Sequence, residues 1–172
     1  MLGHVTLLEA ARKLPRLEHF VFASSSSVYG LNDSLPFRET DRTDRPNSLY
    51  AATKRSGELI SHAYGHLYGM PQTGLRFFTV YGPWGRPDMA YYGFARAIME
   101  GREVTLYDGE GLARDFTYID DVVDGVLRVL ELPPDPAVER VRILNLGNRR
   151  SELVSHMVEL LEQALGLSLI HI

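Results

Sequence analysis

The fold of this chain is constrained most by one ordered set of segments: an apolar run, a serine run, a long helix and a second apolar run. Glu18-His19-Phe20-Val21-Phe22-Ala23 reads as a buried strand leading into Ser24-Ser25-Ser26-Ser27 and then Val28-Tyr29-Gly30. The polar stretch 30–46 follows and reads as a substrate lip. Pro46, with Asn47 or Ser48 as cap, opens a helix over 47–68. Leu49, Ala52, Leu59, Ala63 and Leu67 are its expected buried stripe, and Gly69 and Pro71 stop it. Residues 73–80 form the second strand. The serines thus arrive at the carboxyl end of a strand, where open α/β sheets place their ligands.

Within the helix, Tyr50 and Lys54 are spaced so that both side chains lie on one face, a turn apart. An ammonium held beside a phenol favours the phenolate. A phenol so placed can take a proton from a sugar or alcohol hydroxyl, and a neighbouring serine can relay it.

The rest of the chain alternates in the same way. Apolar positions at Leu2, Val5 and Leu8 predict a helix over 1–14, ended by Pro15 and lacking an N-cap. Residues 82–88 are a turn-rich loop, 91–100 a helix closed by Gly101, and 103–107 a short strand before a turn at Asp108-Gly109. Residues 114–119 are extended. Asp120 caps a helix over 121–132, where Asp120 and Asp121 mark a helix start and not an acid–base pair. Pro133, Pro134 and Pro136 make a connector to a strand over 141–146, and Ser151 caps a last helix over 152–165. The final residues, 167–172, read as a non-native tail.

Composition narrows the function classes. With 172 residues, 45% hydrophobic and 23% charged, the chain suits one globular domain with a real core. A net charge of -4 does not favour nucleic acid as a partner. The chain has no cysteine, hence no disulfide framework and no thiolate site. No apolar run has the length of a membrane span and no signal peptide is evident, so a cytoplasmic protein is expected. His62 and His66 are a turn apart, but no third ligand joins them and no metal site is expected.

The order of strand, serines, Tyr-x-x-x-Lys helix and strand resembles the extended short-chain dehydrogenase/reductase family, specifically its nucleotide-sugar epimerases and dehydratases, over residues 1–165. The resemblance implies an α/β fold: the C-terminal part of a Rossmann-type doubly wound parallel sheet, interleaved over 1–166 with part of a small substrate-binding domain. It implies NAD as cofactor and a UDP-sugar as substrate. Tyr50 would be the base, Lys54 its partner on the nicotinamide ribose, and Ser25 the assisting hydroxyl. Ala23, Ser24, Phe77 and Phe78 would join Tyr50 and Lys54 around the cofactor. Ser25, Ser26, Ser27, Thr79, Arg86 and Arg114 would face the substrate, Arg114 at its diphosphate, with residues 104–107 bordering the uracil. Helices like 1–14 and 47–68 pack across a homodimer in that family.

The resemblance also separates reactions. Related 4,6-dehydratases carry Asp and Glu where Ser26 and Ser27 stand, and eliminating water needs such an acid and base. Residues 76–88, Arg-Phe-Phe-Thr-Val-Tyr-Gly-Pro-Trp-Gly-Arg-Pro-Asp, look like the segment of UDP-glucuronate 4-epimerases. UDP-galactose 4-epimerases carry Asn in place of Thr79. The expected activity is a C4 epimerisation of UDP-glucuronate. A UDP-glucuronate decarboxylase, another nucleotide-sugar epimerase and a non-catalytic remnant are the competing readings. No G-x-G-x-x-G loop occurs, so the chain is expected to begin inside the family's dinucleotide fold, downstream of that loop.

Overall fold

The computed structural model describes residues 1–106 and 111–167. They form two compact units, the first from residues 1–78 and 122–146, the second from 79–121 and the chain from Gly147.

In the first unit, β1 (Phe20–Ser25), β2 (Gln72–Phe77) and β5 (Val141–Leu146) make a parallel sheet in the order β1-β2-β5. β2 is central, and Gln72 to Arg76 are all buried, as a strand covered on both faces requires. The register places Ser24, Arg76 and Asn145 side by side, then Ser25, Phe77 and Leu146. β1 starts later than expected and takes in Ser24 and Ser25. Ser26–Tyr29 form a 3₁₀ turn, which Ser25 caps by accepting the Ser27 N–H at 3.2 Å. Gly30 closes the turn at φ 56°, where an added Cβ would lie 2.0 Å from the Arg45 carbonyl oxygen.

α1 runs over Leu2–Ala11. It stops short of Pro15 because Lys13 and Leu14 donate to Ala10 and Ala11, tightening the last turn. Leu8 and Ala11 join Met70 in a core that Leu17, Phe20, Ile60 and Tyr64 extend. α2 spans Leu49–Tyr68, and Ser48 supplies its cap by accepting the Ala51 N–H at 3.1 Å.

The expected stripe of α2 is overturned. Leu49, Leu59 and Leu67 are 87%, 56% and 67% exposed, whereas the buried positions are Ala51, Glu58, Ser61 and Gly65. Periodicity alone cannot say which face meets the sheet. Here that face is small and polar, because it packs closely on β1, β2 and β5 and carries a buried ion pair. The second apolar run also divides: Phe78 donates to the Leu146 carbonyl at 3.3 Å, ending β2, and β3 (Thr79–Tyr81) begins beyond it.

In the second unit β3 pairs in parallel with β4 (Ala113–Tyr118), and β4 pairs antiparallel with β6 (Ser151–Leu153). β6 replaces the expected start of the last helix. The ladder to β4 and the bond from Val154 N–H to the Leu112 carbonyl hold Ser151 to Leu153 extended, so α5 is Val154–Leu165. Ser151 therefore caps nothing. α3 is Ala90–Met99, and Ala97, Ile98, Val104 and Val158 form the core, with Phe94, Leu106 and Leu161 against it. Residues 103–106 are not a strand, and Tyr107, the 108–109 turn and most of the expected tail lie outside the described residues. α4 is Ile119–Glu131, which from Val122 belongs to the first unit; Asp120 and Asp121 sit inside its first turn, where their charge favours the helix N-terminus. Among the described residues no helix is long and apolar enough to cross a membrane.

Candidate active site

Tyr50 and Lys54 share one face of α2, as their spacing requires. The Lys54 Nζ lies 5.7 Å from the centre of the Tyr50 ring and donates to the Ala23 carbonyl at 3.1 Å. An ammonium carries three donors, so two remain after that bond. Tyr50 is 53% exposed, its ring open to a ligand. Ala23 is in the strand that ends at Ser25. The Ser25 hydroxyl donates to Ser27 Oγ at 3.2 Å and accepts the Ser27 N–H, so its orientation is set locally. The first unit thus collects Ala23, Ser24, Ser25, Ser26, Ser27, Tyr50 and Lys54 around the carboxyl end of β1.

A buried network lies behind these residues. Glu58 and Arg76, each 2% exposed or less at the side chain, form a two-pronged pair with both N···O distances at 2.9 Å. Glu58 also accepts from Ser24 Oγ at 2.5 Å and from Arg55 at 2.8 Å. Arg76 donates to Tyr29 Oη at 3.0 Å and to the Glu39 carbonyl at 3.2 Å, and its guanidinium covers the Tyr29 ring at 4.8 Å. Tyr29 donates to Asn145 Oδ1 at 2.6 Å and stacks on Phe37 at 4.3 Å. The polar stretch 30–46 is therefore pinned to the sheet at Phe37 and Glu39. Burial pushes the Glu58 carboxyl upward, but Arg76, Ser24 and Arg55 outweigh it and hold it below the ordinary carboxylate range. Burial also raises the Tyr29 phenol, with Arg76 opposing.

The sequence reading missed Glu58, Arg76, Tyr29 and Asn145. A signal was present for the first, since Tyr50, Lys54 and Glu58 recur at a four-residue interval.

In the second unit, a cavity of about 250 Å³ is lined by Thr79, Tyr91, Phe94, Leu106, Arg114 and Phe116, among others. Thr79 and Arg114 are thus together. Arg114 donates to its neighbour Ala113's carbonyl, while Asp115 accepts from Thr117 and Asn148 and is not its partner. Arg86 is not in that lining; it is exposed and ion-paired with Asp88. Phe77 and Phe78 are half-buried at the end of β2. Among the described residues no group of His, Asp or Glu could hold a metal ion.

Residues 1–147 match the NAD dependent epimerase/dehydratase family. The chain belongs to that family. It is 52% identical over 174 residues to UDP-glucuronate 4-epimerase 1 of Arabidopsis thaliana, an alignment that covers 95% of this chain and 41% of that protein. Against UDP-glucuronic acid 4-epimerase from Bacillus cereus, solved with UDP-glucuronic acid and NAD, the TM-score is 0.88 at 32% identity, over 99% of this chain and 52% of the other. Against dTDP-glucose 4,6-dehydratase from Bacillus anthracis, solved with NAD, it is 0.87 at 27% identity, over the whole chain and 54% of the other. The chain spans about half the length of these proteins. The Rossmann-like α/β fold and parallel sheet expected from the sequence are those of the family. Backbone likeness does not separate epimerase from dehydratase, so the side chains must.

Proposed function

We propose that the protein is an NAD-dependent nucleotide-sugar 4-epimerase that interconverts UDP-glucuronate and UDP-galacturonate. The observation that carries this is Lys54 on the Tyr50 face, bonded to the Ala23 carbonyl at the end of the strand that delivers Ser25. The residues fit the cofactor: Lys54 keeps two donors for ribose hydroxyls, and the exposed Tyr50 phenol is available beside them. NAD, when bound, supplies the hydride acceptor for C4 and returns the hydride. Tyr50 takes the proton of the C4 hydroxyl and gives it back, with Ser25 relaying it and Lys54 supporting the phenolate. Two serines at 26 and 27 offer hydroxyls and no carboxylate, which supports epimerisation over dehydration.

A uronate substrate brings a hazard. The 4-keto form is a β-keto acid, and it loses CO2 when the breaking C–C bond aligns with the carbonyl π system. Hydroxyls can hold the carboxylate out of that alignment without protonating it. Ser26 and Ser27 are the first unit's candidates for this role and Thr79 the second unit's, and Arg114, in the cavity with Thr79, takes the diphosphate, whose oxygens match a guanidinium fork. Arg86 answers the anionic part of the substrate, for which it must exchange its pairing with Asp88.

The test is to express the protein with the coding sequence that flanks these residues, add UDP-glucuronate and NAD+, and identify products by mass and NMR. UDP-galacturonate of unchanged mass is expected. Carbon dioxide with a UDP-pentose would make the protein a decarboxylase, and no conversion with NAD bound would reject the sugar.

A further inference from the structure

The face of α2 that carries Tyr50 and Lys54 continues one turn further, to Glu58. Lys54 bonds the Ala23 carbonyl, and Glu58 accepts the Ser24 hydroxyl. Two successive turns of the helix are therefore fastened to two successive residues of β1, immediately ahead of Ser25. On the other side of Ser25, the 3₁₀ turn is fastened through Tyr29 to Arg76, whose guanidinium fork is closed on the same Glu58. One carboxylate thus ties together the helix of Tyr50, the strand before Ser25 and the turn after it.

Apolar packing could not set this arrangement alone, because it is non-directional. The other buried positions of α2 are Ala51, Ser61 and Gly65, side chains too small to interlock. Its larger apolar ones, Ile60 and Tyr64, pack with Leu8, Ala11, Met70 and Phe20, at the first residue of β1 and not at Ser25. Hydrogen bonds do have direction, and the two oxygens of Glu58 are committed to donors from three side chains. We propose that Glu58 is a positioning residue, which fixes the rotation of α2 through Ser24 and Arg76 so that Tyr50 and Lys54 are held against the Ser25 strand. This rests on the reading of Tyr50 and Ser25 given under Proposed function.

The test compares wild type with Ser24→Ala, which removes one hydroxyl and leaves the ion pair, and with Glu58→Gln, which keeps the shape but turns an amide toward the Arg76 donors. Backbone amide exchange is followed together with kcat and KM for UDP-glucuronate. In Ser24→Ala, amides of residues 25–30 and 50–57 should exchange about tenfold faster while those of β2 and β5 are unchanged. The kcat should fall about tenfold with KM within about twofold, the pattern of a misplaced catalytic group. Glu58→Gln also leaves the buried Arg76 without its counter-charge, so exchange should rise in β2 too, yet by more in residues 25–30 and 50–57, with a larger fall in kcat. Exchange that rises equally in β1, β2 and β5 would show plain stabilisation and overturn the proposal. Unchanged exchange in both segments would overturn it too. If the wild type leaves UDP-glucuronate unconverted, the substrate reading falls, while the exchange pattern still decides for or against Glu58.

Discussion

Arg76 and Thr79, three residues apart in sequence, show what single side chains decide here. Removing one partner of a buried pair leaves the other charge uncompensated, at a cost of about 3–5 kcal/mol. Arg76→Met should cost that much in urea unfolding, since Glu58 would keep only Ser24 and the half-exposed Arg55. The double variant Glu58→Met/Arg76→Met should be destabilised by less than the sum of the two single changes, because it leaves no charge stranded. Thr79→Val makes a chemical prediction instead. It removes a hydroxyl at nearly constant volume, and the ratio of decarboxylated product to epimer should rise; an unchanged ratio would end the role given to Thr79. The shared face of Tyr50 and Lys54 and the arrival of the serines at a strand end were legible from the order of strand, serines, helix and strand, since a Tyr-x-x-x-Lys spacing alone is common. Glu58 and Arg76 were not, because a charged residue in a helix or strand ordinarily faces water, and the row Ser24, Arg76, Asn145 exists only once three distant strands share a register.

Most elements were legible in type and order, the strand expected over 103–107 and the helix start at Ser151–Leu153 being the exceptions, and the faces they bury were less so. In α2 the leucines marked a stripe, yet glycine and alanine mark the contact. Gly65 shows why: an added Cβ would lie 2.2 Å from Cγ2 of Val141, a branched side chain with little freedom to move. Alanine favours a helix over glycine by about 1 kcal/mol, but overpacking costs about 1–3 kcal/mol. Gly65→Ala should therefore lower the stability of the protein. Gly93 in α3 is the control, with nothing within 4 Å of its added Cβ. There only the propensity acts, and Gly93→Ala should raise the melting temperature. Two glycine-to-alanine changes in helices are thus expected to have opposite signs, which thermal unfolding checks directly. The divided second apolar run and the strand at Ser151–Leu153 were illegible for a related reason: pairing with distant β4, and the bond from Phe78 to Leu146, decide both.

Across the whole molecule, folding is linked to pH through histidines and carboxylates that follow the same sign rule, since the folded state lowers the pKa of each and acid removes the contribution of each. His4 is half-buried, its Nε2 2.8 Å from Ser61 Oγ and its ring edge-on to Phe20 and Phe22. His19 likewise contacts Thr73 Oγ1 at 2.8 Å. Burial lowers both from 6.5, so the unfolded chain binds protons that the folded one refuses. Their contribution is complete above pH 6.5 and is lost as pH falls through their folded values. Glu9, held at about 2 by Arg12 and Tyr64, and Glu58 act in a more acid range: their contributions are present above the ordinary glutamate value of 4.5 and fade as pH falls through their lowered ones. Stability should therefore decline in two stages on acidification, first below pH 6.5 and again below 4.5. Replacing both His4 and His19 with glutamine, which cannot take up a proton, should flatten the first stage and leave the second. Melting temperatures of the two proteins across pH 3–8 measure this, and a first stage that survives the double replacement would assign it to other groups.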